Sequence, residues 1–186
     1  MSGKLNDMDL IWTEESKTEL LRTPIATISE TLSTASDGQK HKYIVIDCRD
    51  WVIVIPEHNG NFLMVKQWRH GEKALSTEFP GGVIDDGETP EQGARRELLE
   101  ETGCTANKLT FLGKMNPNPA FMCNHVHVFL AEDLVQTGSK HLDSDEYLDS
   151  FEMPVEEVMK KAGAKEMPHA LMAAALSLYC QYKNSN

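Results

Sequence analysis

The sequence has no Cys-x-x-Cys pair, no basic run, no internal repeat and no long apolar stretch. Each absence removes a class of protein. The four cysteines, Cys48, Cys104, Cys123 and Cys180, are scattered, which argues against a disulfide framework or a zinc site and for reduced thiols. Lys and Arg number 18 against 29 Asp and Glu, a net charge of −11. Without a basic track, nucleic acid and an anionic membrane are poor partners. No apolar run reaches the roughly 20 residues a spanning helix needs. The polar start, Met1-Ser-Gly-Lys-Leu-Asn-Asp, lacks the apolar centre of a secretory signal. A cytoplasmic location is the expectation. What is present, 186 residues with 40% hydrophobic and 25% charged, is enough for one domain with a real core and a small appended element.

The most informative stretch runs from Gly82 to Cys104. It places Glu97, Glu100 and Glu101 three and four residues apart, hence side by side on one helical face. Each such like-charged pair costs about 0.2–0.5 kcal/mol unless something offsets it. A hard divalent cation would do so, because it takes carboxylate oxygens. The helix has its own punctuation. Thr89 is an N-cap, Pro90 suits the first position, and Gln92 completes a Thr-x-x-Gln capping box. Gly103 reads as the left-handed residue just past the end. The spacing therefore predicts a helix over 90–102. Arg96 stands four before Glu100 and can neutralise part of the acidic face. Gly81, Gly82 and Gly87 allow a tight loop that approaches a ligand closely.

These residues resemble, position for position, the signature of the Nudix hydrolases, G-x5-E-x7-R-E-U-x-E-E-x-G-U, with U apolar. Gly82, Glu88, Arg96, Glu97, Leu98, Glu100, Glu101 and Gly103 all fall in place. Cys104 departs from the usual aliphatic residue, which concerns packing rather than chemistry. A solvated glutamate-rich surface helix is the bland alternative, and it does not account for the loop, cap and spacing together. The resemblance implies an α/β (α+β) fold, a mixed β-sheet sandwiched between α-helices. It also implies hydrolysis of a nucleoside diphosphate linked to another group, with Mg²⁺, or Mn²⁺, as the cofactor. Glu97 and Glu101 are then direct metal ligands, Glu100 a further ligand or one acting through water, and the Gly81 carbonyl another. Gly82, Glu88, Arg96 and Gly103 are structural members of the motif.

The rest of the chain reads as strands and helices in alternation, as in a sheet covered on both faces. Residues 22–34 and 41–47 read as strands joined by a turn at Asp37-Gly38, and residues 1–10 as loose. Strands are expected over 51–56, 61–68, 109–114, 124–131 and 149–153, and helices over 155–162 and 168–182. Residues 1–45 form a small N-terminal antiparallel β-element and 46–186 the Nudix domain. In related enzymes such N-terminal strands embrace a second subunit, so a homodimer is implied.

A second resemblance narrows the substrate. Pro119 follows Cys104 by 15 positions, similar to the mark of the ADP-ribose pyrophosphatase subgroup, although Asn116-Pro-Asn-Pro departs from the Ser-Pro-Gly of its best-known members. By itself Pro119 could be an ordinary loop breaker. Glu78-Phe-Pro-Gly-Gly and Gln67-Trp-Arg-His look like segments of nucleoside-diphosphate-sugar hydrolases. Arg69 matches an arginine that contacts substrate phosphate, for which a planar fork is suited. Trp68 is a candidate for stacking on a base or for core packing, and Trp51 and Trp12, with less weight, are further candidates for stacking. Glu146 aligns best with a glutamate on a mobile loop that acts as catalytic base beside Glu97 and Glu100, with Asp145 and Asp143 as alternatives. His125 and His127 share a strand face, and packing or hydrogen bonding suits them better than a metal, since no third ligand lies near. The leading expectation is hydrolysis of ADP-ribose. Hydrolysis of nucleoside triphosphates by the same fold is the runner-up, and a non-catalytic nucleotide-binding module comes last.

Overall fold

The computed structural model describes residues 6–138 and 147–185. Nine strands and three helices follow one another: β1 (Trp12–Arg22), β2 (Thr27–Ala35), β3 (Lys40–Asp47), β4 (Trp51–His58), β5 (Asn61–Arg69), β6 (Ala74–Glu78), α1 (Pro90–Thr102), β7 (Cys104–Met115), β8 (Val126–Gln136), β9 (Leu148–Pro154), α2 (Val155–Lys161) and α3 (Ala170–Ser185). They form two compact units, one of residues 1–49 with 116–124 and one of 50–115 with 125–186.

The first unit is an antiparallel sheet in the order β1-β2-β3. The β2–β3 hairpin turns where the Asp-Gly signal predicts, with Gly38 at φ 87°. The structure adds β1, a strand that the sequence pattern does not announce. All eleven of its residues are exposed, so no apolar alternation marks it. The inward side chains of β2 are Ser29, Thr31 and Ser33. Trp12 meets His41 and Tyr43 edge-on, and the three line a shallow open cleft of about 260 Å³ with Asp37 and Gln39. Residues 116–124 join this unit through Ile46 N–H to the Phe121 carbonyl and Cys123 N–H to the Ile46 carbonyl.

The second unit is built on a mixed sheet in the order β6-β5-β4-β8-β7, with β9 paired to β5. The apolar runs of β4 and β8 are buried on both faces and pair in parallel. One face carries Ile53, Ile55, Val126, Val128 and Leu130 into a cluster with Met172, Leu176 and Tyr179 of α3. The other carries Val52, Val54, Phe129 and Ala131 against Ala94 and Leu98 of α1. Period-2 alternation along the strands thus sends neighbouring residues to opposite cores. The arrangement is the expected sheet between helices. Strand β6, Ala74–Glu78, also appears where the sequence pattern leads to no expected strand. No described helix is long and apolar enough to cross a membrane, and none of the four cysteines is in a disulfide.

Candidate active site

Helix α1 has the ends its sequence prescribes. Thr89 Oγ1 accepts the Gln92 N–H at 3.2 Å, and Gln92 Oε1 accepts the Thr89 N–H at 2.8 Å. Gly103 closes the helix at φ 70°, its N–H donating to the Leu99 carbonyl. With Ala94 and Leu98 packed on the sheet, the 3.6-residue period puts Glu97 and Glu101 at the edge of the buried stripe. Their exposures are only 7% and 2%. Buried carboxylates need partners, and the glycine loop provides some. Gly81 N–H donates to Glu101 Oε2 at 2.9 Å. The Glu97 carboxylate packs so closely on Gly82 that a Cβ there would lie 2.4 Å from Oε1. A Cβ on Gly81 would lie 2.2 Å from the Val52 carbonyl oxygen. The Gly81 clash is with fixed backbone and leaves no room for a side chain, whereas a side chain at Gly82 would displace the Glu97 carboxylate. Strand β4 fixes the loop in turn, through Val52 N–H to the Gly82 carbonyl and Val54 N–H to the Pro80 carbonyl.

Arg96 gathers the remaining charge. Its Nε and Nη2 take the two oxygens of Glu88 at 2.9 and 3.0 Å, and Nη1 donates to Glu97 Oε1 at 2.8 Å and Glu100 Oε2 at 2.9 Å. Nη2 also donates to the Val83 carbonyl. The hydrogen bonds to Glu88 first, then those to Glu97 and Glu100, raise the Arg96 pKa against the opposing effect of burial. The Arg96 hydrogen bond, then the Asp85 N–H, hold Glu88 below the usual carboxylate value. Arg96 thus cross-links the helix to Glu88 and to the Val83 carbonyl of the loop. Among the described residues no three His, Cys, Asp or Glu side chains already converge as a metal cage; a guanidinium stands among the carboxylates instead. The donor set of Glu97, Glu100, Glu101 and the Gly81 backbone is all oxygen, the chemistry that suits a hard divalent cation.

The other candidate residues belong to several different elements. Arg69, at the end of β5, is held by Glu78 of β6, Nε to Oε1 at 2.9 Å with Nη2 on the second oxygen. Glu78 is 1% exposed. Burial pushes its pKa up, but the Arg69 hydrogen bonds and charge outweigh this and the net shift is downward. Trp68 neighbours Arg69, points to the opposite face of β5 and is exposed. Trp51 packs against the α3-side core. Pro119 lies in the 116–124 segment that groups with the N-terminal sheet. Glu146, Asp145 and Asp143 lie outside the described residues. Cys104, the departure from the motif, is buried, and its thiol donates to Gln136 Oε1. His125 and His127 both turn to Asp50, a carboxylate that no motif singled out. Glu78 stands in the sequence only as the first residue of the Glu78-Phe-Pro-Gly-Gly segment, and nothing there pairs it with Arg69.

The NUDIX domain family matches residues 49–174. Over 127 residues, 68% of each chain, the sequence is 40% identical to the ADP-ribose pyrophosphatase of Bacillus subtilis (strain 168). It is 29% identical to the ADP compounds hydrolase NudE of Escherichia coli (strain K12) over 130 residues, 70% of this chain and 69% of that one. A crystal structure of an ADP compounds hydrolase superposes with a TM-score of 0.85 over 99% of this chain and 98% of the other, at 24% identity, a likeness of fold. Motif, capped acidic helix, glycine loop and family match agree, and the chain belongs to the Nudix hydrolases.

Proposed function

We propose that this hydrolase cleaves the pyrophosphate bond of nucleoside diphosphate sugars, with ADP-ribose as the leading substrate. Water adds across the bond, and the products are AMP and ribose 5-phosphate. The observation that carries the reading is the pair of buried carboxylates, Glu97 and Glu101, held against Gly81 and Gly82. A divalent cation, Mg²⁺ or Mn²⁺, held by Glu97, Glu100, Glu101 and the Gly81 carbonyl, would neutralise phosphate oxygens and make a water nucleophilic. Glu146 takes the proton from that water. Arg69, whose Nε and Nη2 are held by Glu78, is a phosphate contact in the same reading through its positive charge, and Trp68, Trp51 and Pro119 are further substrate contacts. The choice of ADP-ribose leans on the names of the relatives and on Pro119.

We also propose a homodimer formed through residues 1–45. The exposed Leu10, Ile11, Leu20, Leu21 and Ile25 support it. Reduced cysteines fit a cytoplasmic setting. The test is incubation with Mg²⁺ and a panel of ADP-ribose, ADP-glucose, GDP-mannose, UDP-glucose and nucleoside triphosphates, with Glu101→Gln as control. Nucleoside monophosphate plus sugar phosphate from the parent alone upholds the reading. Cleavage of triphosphates only would replace it with the triphosphate pyrophosphohydrolase.

A further inference from the structure

Outside the acidic helix, one cluster of titratable side chains stands at a structural junction. Asp50 immediately precedes β4, and His125 immediately precedes β8. Asp50 Oδ1 accepts the His125 backbone N–H at 2.7 Å. Its Oδ2 lies 3.0 Å from His127 Nε2, which must donate because a carboxylate only accepts. His125 Nδ1 stands 3.7 Å from Oδ1. Burial would raise the Asp50 pKa, and the bonds from His127 and the His125 N–H reverse the shift. His127 itself is nearly buried beside the Phe111 ring.

The junction matters because of what else β4 holds. Trp51 N–H goes to the His125 carbonyl on one side, while Val52 N–H goes to the Gly82 carbonyl on the other, and the Asp50 carbonyl accepts the Ile84 N–H at 2.9 Å. Trp51 also bridges to Val83. The glycine loop is thus laid along β4, and β4 is laid along β8. That second pairing is parallel, between residues 75 positions apart in the chain. Its hydrogen bonds are evenly spaced and no hairpin sets its register. A side chain that recognises one particular backbone N–H supplies the missing stop.

We infer that Asp50, with His127, is a positioning residue for the reaction: it fixes the register of β4 on β8 and thereby the place of Gly81 and Gly82 against Glu101 and Glu97. The inference rests on the hydrolase reading of that site. It is tested with Asp50→Ala, Asp50→Asn and His127→Phe, by ADP-ribose kinetics and by amide hydrogen exchange at Val52 and Ile84. Asp50→Ala lowers kcat about tenfold with KM changed less than about twofold, a loss confined to the transition state. It also speeds exchange at both amides by about tenfold through local opening. Asn keeps an acceptor for the His125 N–H and restores both quantities to within about threefold of the parent. Unchanged exchange in Asp50→Ala, or an Asn variant no better than Ala, overturns the inference. Should Asp50→Ala not fold, His127→Phe decides, faster exchange at Val52 and Ile84 supporting the pin and parental exchange overturning it. If the parent does not hydrolyse ADP-ribose, the substrate reading fails, while the exchange rates still decide the role of Asp50.

Discussion

The two units of this protein bury different things. In the second, β4 sends Val52 and Val54 into one apolar cluster and Ile53 and Ile55 into another. In the first, no hydrophobic side chain of the described residues is buried; its buried residues are Ser29, Thr31, Ser33 and Asn124. Leu10, Ile11, Trp12, Leu20, Leu21, Ile25 and Ile44 are exposed instead. A sheet alone of three strands with a polar inner face has little hydrophobic driving force of its own. The doubly covered sheet has much more, since each buried Leu, Val or Phe contributes about 1.5–3 kcal/mol. That surplus lets the second unit hold carboxylates such as Glu78, Glu97 and Glu101 out of water.

The comparison can be broken at its strongest point first. Glu101→Gln should lower turnover by about 10²–10³-fold with circular dichroism unchanged, several kcal/mol of charge stabilisation being lost; near-parental turnover would separate the buried acids from the chemistry. Glu146→Gln should cost about 10²–10⁴-fold if it is the base. Next is the core. Leu98→Ala should destabilise by about 3 kcal/mol in a denaturant titration, by transfer and cavity terms together. By contrast, Leu21→Ala on β1 should leave unfolding of the second unit within about 0.5 kcal/mol of the parent. Sedimentation would show it weakening the dimer, and a parent that sediments as a monomer at micromolar concentration removes the dimer proposal.

Acid pH sharpens the contrast further. The carboxyl of Glu78 titrates below its ordinary 4.5 when folded. The folded state therefore binds fewer protons than the unfolded one in that range. Its stabilisation is full above 4.5 and is lost as pH falls through the folded value. Glu78→Gln should remove about 2 kcal/mol at neutral pH, the worth of charge-assisted hydrogen bonds, and should flatten the acid side of the stability profile. Thr89→Ala should cost about 1 kcal/mol through the lost cap.

Legibility followed the same division. Helix α1 was readable to its last residue because caps, proline and glycine act locally, within four positions. The motif glutamates were readable for the same reason. Strand β1 was not, because Trp12–Arg22 is exposed throughout and carries no period-2 signal. The short β6 was hidden in a segment whose polar residues, Ser76, Thr77 and Glu78, are all buried. The setting of Arg69 was not legible, since its partner Glu78 is nine residues away on another strand.

The sequence by itself determined the acidic helix, its ends and the family that follows from them, because these depend on spacing along one helix and one turn. Tertiary structure decided how those groups are satisfied: Arg96 among Glu88, Glu97 and Glu100, Glu78 beneath Arg69, and Asp50 between two histidines 75 and 77 positions away. Such pairings come from strand register and from the dielectric of a packed interior, and neither is written in any short stretch of chain.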